Sequence, residues 1–142
     1  MNKTILIIIL VLVVVALALG VFFYAYKEDA KPIFYKDVIR VDLPLSDSVV
    51  QSPLKVTGSA RGIWYFEASF PVKIFDSNGK ELGVVPAQAQ GDWMTADFVP
   101  FEANITFQTP TTETGTLVLE KDNPSGLPEN SDSVTIPVRF QR

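Results

Sequence analysis

The chain of 142 residues contains no histidine and no cysteine. Without imidazole, neither a Ser/His/Asp triad nor a histidine metal centre can be assembled. Without thiols there is no thiolate nucleophile, no thiolate zinc site and no disulfide scaffold. Paired acids are the remaining catalytic option. Glu28 and Asp29 adjoin a long apolar run, and Asp92 and Asp97 lie beside a strand-like stretch. Neither spacing demands the cleft with two facing carboxylates, about 5–9 Å apart, that glycoside hydrolysis uses. The sequence therefore assigns no catalytic residue, no cofactor and no metal ligand, and the expectation is a protein that is not an enzyme.

Two stretches have residue types suited to binding. Asp122, Asn123, Glu129, Asn130 and Asp132 offer oxygen ligands of the kind calcium takes. Their spacing is not that of an EF-hand loop, and the same residues compose ordinary exposed turns. Trp64 and Tyr65 beside Arg61 form a candidate interaction patch, because partly exposed aromatics and arginine anchor many interfaces. Core and end-capping packing is nevertheless the preferred reading of these aromatics, with the patch as its alternative. Asn104-Ile105-Thr106 spells a glycosylation acceptor inside a strand-like stretch and is read as chance.

The elements that must position these groups follow a two-residue period. Ile39, Val41 and Leu43 alternate with Arg40 and Asp42, and Leu54, Val56, Gly58 and Ala60 share one face of the next stretch. Small Gly58 predicts close approach by a large side chain such as Trp64 or Trp93. Phe66, Ala68, Phe70, Val72 and Ile74 read as one strand with a buried face, and Asp76-Ser77-Asn78-Gly79 as the turn joining it to Leu82, Val84 and Pro86 in a hairpin. Trp93 to Phe98 reads as a strand with Met94, Ala96 and Phe98 inward. The apolar set then changes parity across Pro100 to Phe101, Ala103, Ile105 and Phe107, which predicts a bulge or corner. Leu117 with Leu119, and Val134 to Phe140, supply the last strands. Pro71 and Pro137 stand inside strands and are expected at sheet edges or bulges. Seven or eight short strands with no amphipathic helix predict an all-β, immunoglobulin-like β-sandwich over residues 38–142, with a small barrel as the competing fold.

Ahead of the strands, Ile5 to Tyr26 carries no charge, Asn or Gln. As a helix it would be roughly 33 Å long, the thickness of a bilayer's hydrocarbon core. Phe22, Phe23, Tyr24 and Tyr26 place amphipathic rings at its far end, and Lys27, Glu28 and Asp29 stop it. We read residues 1–4 as a short tail, 5–26 as a transmembrane anchor and 27–37 as a juxtamembrane linker. A cleaved export signal ending at Ala16-Leu17-Ala18 and a buried soluble helix compete with that reading. The apolar core runs on past the cleavage motif, and a soluble helix should show a polar face. Counting Lys and Arg favours a cytoplasmic carboxy-terminal side, whereas a short basic head before an apolar core has the layout of an export signal; the latter is preferred. The chain carries 12 Lys and Arg against 16 Asp and Glu, a formal charge of −4. With Lys3 set aside, the part beyond the helix is one unit more negative, so it presents no general attraction for nucleic acid.

The order Gln51-Ser52-Pro53-Leu54-Lys55-Val56-Thr57-Gly58-Ser59-Ala60-Arg61, Phe66-Glu67-Ala68 and Val72-Lys73-Ile74-Phe75-Asp76-Ser77-Asn78-Gly79, continued by Gly91-Asp92-Trp93, resembles the immunoglobulin-like domain of bacterial spore germination proteins. The resemblance spans about residues 38–140. It implies an exported, envelope-associated β-sandwich, often accompanied by a second germination-related domain that has no counterpart in these residues. It supplies no catalytic residue. The resulting expectation is a single-pass protein of the cytoplasmic membrane with its carboxy-terminal domain extracytoplasmic. Residues 5–26 would meet the lipid bilayer, and the domain an envelope protein or a cell-wall polymer. The alternative is a carbohydrate- or calcium-binding module at the wall.

Overall fold

The computed structural model describes residues 2–25 and 31–141. They fall into two compact units, Met1–Ala30 and Lys31–Arg142. In the first, helix α1 runs over Lys3–Ala25. Its side chains are described without interruption only from Ile7 to Ala18, and the aromatic end and stop signal from Phe22 to Asp29 lie outside the described side chains. Among the described residues no helix is long and apolar enough to cross a membrane. Ile7, Leu10, Leu12 and Leu17 are all more than half exposed, so among the described side chains from Ile7 to Ala18 α1 has neither a polar face nor a buried one.

The second unit holds nine strands among its described residues: β1 (Ile33–Tyr35), β2 (Ile39–Leu43), β3 (Ser48–Val50), β4 (Leu54–Arg61), β5 (Ser69–Asp76), β6 (Glu81–Ala89), β7 (Phe98–Ile105), β8 (Thr114–Glu120) and β9 (Ser133–Phe140). Hydrogen bonding links them in the order β1-β2-β4-β7-β6-β5-β8-β9-β3. Two separate sheets were expected; one curled sheet is found. The joint is small, only Gln88 opposite Glu102 and Ala89 opposite Phe101 between β6 and β7. Either side of that joint the sheet forms two limbs, and their inner residues meet in one core. Ile39, Val41, Val56, Phe101 and Ile105 come from one limb, and Phe70, Val72, Ile74, Leu117, Leu119 and Ile136 from the other. Every described residue of this core belongs to this unit. Phe70 on β5 and Phe101 on β7 meet edge to face across it at 4.9 Å.

Several expectations are corrected. β1 lies inside the stretch read as linker; its three residues pair with β2, Ile33 opposite Val41. The strand read from Phe66 begins only at Ser69, because Glu67 and Ala68 both take left-handed conformations, with φ of 48° and 63°. Phe66 and Ser69 exchange both backbone hydrogen bonds at 3.0 Å across them, a tight turn that leaves Phe66 41% exposed. Phe70, Val72 and Ile74 keep the expected face and are fully buried.

The next hairpin forms as expected, with Gly79 at φ +81°. A register shift follows it, however, so Leu82 and Ala87 point inward while Val84 is exposed. Residues 90–97 form no strand, and Met94 and Phe98 are exposed. No bulge marks Pro100: β7 pairs with β4 without interruption from Arg61 opposite Phe98 to Leu54 opposite Ile105. Pro71 and Pro137 sit in interior strands. Pro71 faces another proline, Pro86, at a pair where neither side needs a donor, and the β5–β8 ladder begins one residue later at Val72. Pro137 lies just before the parallel β9–β3 ladder, which starts at Val138, and its carbonyl accepts from Asp47 N at 2.8 Å. Leu43 is exposed because the β2–β4 register shifts between Val41 and Leu43. Gly58 admits the Phe101 ring and the Arg40 carbonyl, not an indole.

Candidate functional site

Strand direction brings four segments to one end of the β unit: the turn at 36–38, the stretch 61–68 leaving β4, residues 90–97 between β6 and β7, and the 121–132 loop between β8 and β9. They are tied together by named bonds. Arg61 Nε donates to the Asp37 carbonyl at 2.6 Å, its Nη1 to the Ala96 carbonyl at 3.0 Å and its Nη2 to the Asp37 carboxylate at 2.7 Å. Its guanidinium lies 4.5 Å from the Phe98 ring centre. One planar cation thus joins three segments, a task suited to its fixed fork of donors.

Asp132 is the second tie. It accepts from Tyr35 Oη at 2.9 Å, from Lys36 Nζ at 3.1 Å and from Ser133 N at 3.0 Å. Partial burial works to raise the Asp132 pKa, but hydrogen bonds from Tyr35 and Lys36 outweigh it and hold the carboxyl below the usual range. The bonds to Tyr35 and Asp132 in turn hold Lys36 above its ordinary value. Within the 121–132 loop, Asn123 Nδ2 donates to the Leu127 carbonyl at 2.8 Å and to Ser131 Oγ at 2.9 Å. Lys121 Nζ donates to the Asn130 carbonyl at 3.1 Å.

These bonds take up several of the oxygens a cation would need, the Asp132 carboxylate and the Leu127 and Asn130 carbonyls among them. Among the described residues no group of three acidic side chains converges to hold a metal ion. The loop instead forms one wall of a polar cavity of about 610 Å³, bounded by Tyr35, Pro71, Glu120, Asp122, Asn123 and Asp132. Glu120 is paired with Lys73 at 2.8 Å.

Trp64 and Tyr65 are buried, 1% and 4% exposed, so these two rings are not on the surface. Trp64 meets Tyr35 and Phe70 edge to face at 6.4 and 6.5 Å, and its Nε1 has no hydrogen-bond partner among the described residues. Tyr65 donates to the Val99 carbonyl at 2.7 Å, and burial pushes its phenol pKa up. Alternation exposed Tyr65 and buried Phe66, and the turn at 67–68 reverses both. Of the three residues, Arg61 alone is partly exposed. What reaches solvent beside them is aliphatic: Ile63 is 62% and Met94 76% exposed. Together with Tyr65, Trp93 and Ala96 they line an open depression of about 490 Å³.

This arrangement, a curled sheet with its long loops gathered at one end, is that of an immunoglobulin-like domain. Residues 38–127, more than half of the chain, match the family model for the immunoglobulin-like domain of bacterial spore germination. The chain belongs to that family. No curated protein and no solved structure matches it. In this germination-type domain the matched stretch ends inside the 121–132 loop, and β9 lies beyond it. Sequence reasoning passed over Ile63 and turned Met94 inward because Ile63 sits in a single 3-10 turn, Gly62–Trp64, and Met94 in an irregular stretch, where period-two alternation carries no information. The signals available were Gly62 and Gly91-Asp92, which mark the two segments as loops.

Proposed function

We propose that this protein is a non-enzymatic interaction module of the bacterial cell envelope. Residues 5–26 hold it at the cytoplasmic membrane, its immunoglobulin-like domain lies outside the cytoplasm, and its partner is another envelope protein or a cell-wall polymer. The observation that carries this reading is the loop end, where exposed aliphatic side chains and polar loops are fixed by Arg61 and Asp132 without any constellation suited to catalysis. Membership of the germination-type family and the uncharged run from Ile5 to Tyr26 support it.

Two experiments test the parts separately. Protease added to wall-stripped cells should digest residues 31–142, while the full-length mass is present beforehand. Protection until the membrane is opened would reverse the orientation, and mature protein beginning near Leu19 would remove the anchor. Photo-crosslinkers placed one at a time over the β unit should trap a defined envelope partner. Absence of any cross-link, together with saturable resonance shifts on titration with calcium or wall fragments, would favour the carbohydrate- or calcium-binding alternative.

A further inference from the structure

The loop end carries a charge that the opposite end lacks. Segments 36–38, 61–68, 90–97 and 121–132 hold three cations, Lys36, Arg61 and Lys121, against seven carboxylates. At the other end, segments 44–53, 77–80 and 106–113 hold one cation, Lys80, against Asp47 and Glu113. Within the acidic end the cations are committed. Lys36 pairs with Asp132, Arg61 with Asp37, and Lys121 bonds to the Asn130 carbonyl. Asp122, by contrast, forms no ion pair among the described residues and lines the polar cavity, as does Lys121, whose Nζ is held on the Asn130 carbonyl.

The aliphatic depression adjoins that cavity. Ile63 lines the depression, and the next residue, Trp64, accepts a hydrogen bond at its carbonyl from Asp122 N, 3.0 Å away. A hollow lined by Lys121 and by three carboxylates, of which Glu120 and Asp132 are paired and Asp122 is not, is therefore separated from the exposed apolar shelf by little more than one residue of backbone.

Resting on the interaction-module reading, we propose that this end docks a polypeptide segment of the partner that presents a basic side chain next to an aliphatic one. The Lys or Arg head enters the hollow toward Asp122, where an opposite charge in a partly desolvated site is favoured. The aliphatic side chain covers Ile63 and Met94, removing their apolar surface from water. Burial supplies affinity, and the acidic rim supplies the choice of partner and the rate of encounter.

The β unit, residues 31–142, has its own core and is the object to titrate by nuclear magnetic resonance. Three peptides share a Gly/Ser frame and differ at two adjacent positions, Lys-Leu, Glu-Leu and Lys-Ser. The Lys-Leu peptide should give saturable shifts at Ile63, Met94 and Asp122. The other two should bind at least about tenfold more weakly, the worth of one buried aliphatic side chain or one matched charge. Replacing Ile63 and Met94 together with Ser should weaken Lys-Leu binding by about as much and leave Lys-Ser unchanged, and Asp122→Asn should reduce the preference for Lys over Glu. Equal binding of Lys-Leu and Lys-Ser, shifts spread over both ends, or no saturable shift refutes the proposal. In cells, partner cross-linking that survives the Ile63/Met94 double replacement refutes this surface but keeps the interaction module. Loss of cross-linking from every position would remove the module itself.

Discussion

Replacing Phe70 with alanine probes the centre of the β unit. Phe70 is fully buried, and its ring meets Trp64, Tyr65 and Phe101 at centroid distances of 6.5, 5.3 and 4.9 Å. A Phe→Ala change in a packed core costs about 3–5 kcal/mol, and aromatic pairs add about 0.5–1.5 kcal/mol beyond buried area. Rings from both limbs converge here and cannot all close the gap, so the upper half of that range, about 4–5 kcal/mol, is expected. In urea, with a slope of about 2 kcal/mol/M, the midpoint should fall by roughly 2 M. The comparison variant is Phe66→Ala. Phe66 has the same parity as Phe70 and would share its face in a continuous strand, but it lies across the turn and is 41% exposed. Its midpoint should move by less than a quarter as much. Equal shifts for the two variants would mean that the strand runs through residues 67 and 68 and that the turn is wrongly placed. A Phe70 shift below about 0.5 M would mean that the two limbs do not meet at this ring.

Three further outcomes follow from the same geometry. Ala68→Gly relieves a left-handed residue that costs an L-amino acid roughly 1–2 kcal/mol; after the extra chain entropy of glycine it should raise stability by a net few tenths to about 1 kcal/mol, read as a higher denaturation midpoint. Gly58→Ala drives a methyl into the Arg40 carbonyl and the Phe101 ring and should cost about 1–3 kcal/mol, read as a fall in melting temperature. Asp76 accepts from Lys80 N at 2.9 Å, Asn78 N at 3.0 Å and Thr111 Oγ1 at 3.1 Å, and the backbone bond from Lys80 chiefly holds its carboxyl below the ordinary 3.8. Its stabilisation is therefore present above about pH 4 and lost as pH falls through the lowered folded value. Asp76→Asn should lower stability at neutral pH and flatten the acid limb of the stability profile, and an unchanged acid limb would remove Asp76 from that role.

Strand faces were readable wherever period two ran unbroken between partners on both sides: Phe70 to Ile74, Leu117 to Leu119 and Val134 to Phe140 all point where alternation puts them. It misled where a single residue shifted the phase. Two left-handed residues at 67–68 have no glycine or asparagine to announce them, so the turn looked like more strand. The bulge after Gly79 moved Val84 outward. The short β1 was hidden because three residues are too few for a period, and its place is set by pairing with β2. Of the candidate site, Arg61 was legible as the outward residue at the end of its strand, but not its bonds, which run to the neighbouring loops at Asp37 and Ala96. Trp64 and Tyr65 take the packing use of these aromatics rather than the surface one, and only the outward side that alternation gives Tyr65 is overturned, since that depends on how tightly the next turn folds back. Ile63 and Met94 could only be found once the loops were assembled.

The position of β9 sets the order in which the domain can be completed as it emerges amino end first. β9 is ninth along the chain but sits inside the sheet, antiparallel to β8 on one side and parallel to β3 on the other. Until it arrives, β3 has no neighbour and β8 has only β5, leaving the inner faces of Leu117 and Leu119 without Ile136 and Val134 beside them. Its pairing with β3 joins Ser48 to Val138, among the most distant contacts in the unit and so the slowest kind to close. A nascent domain that has already made residues 38–127 therefore still carries an open apolar flank, one that a protease or a chaperone would meet before the last strand inserts.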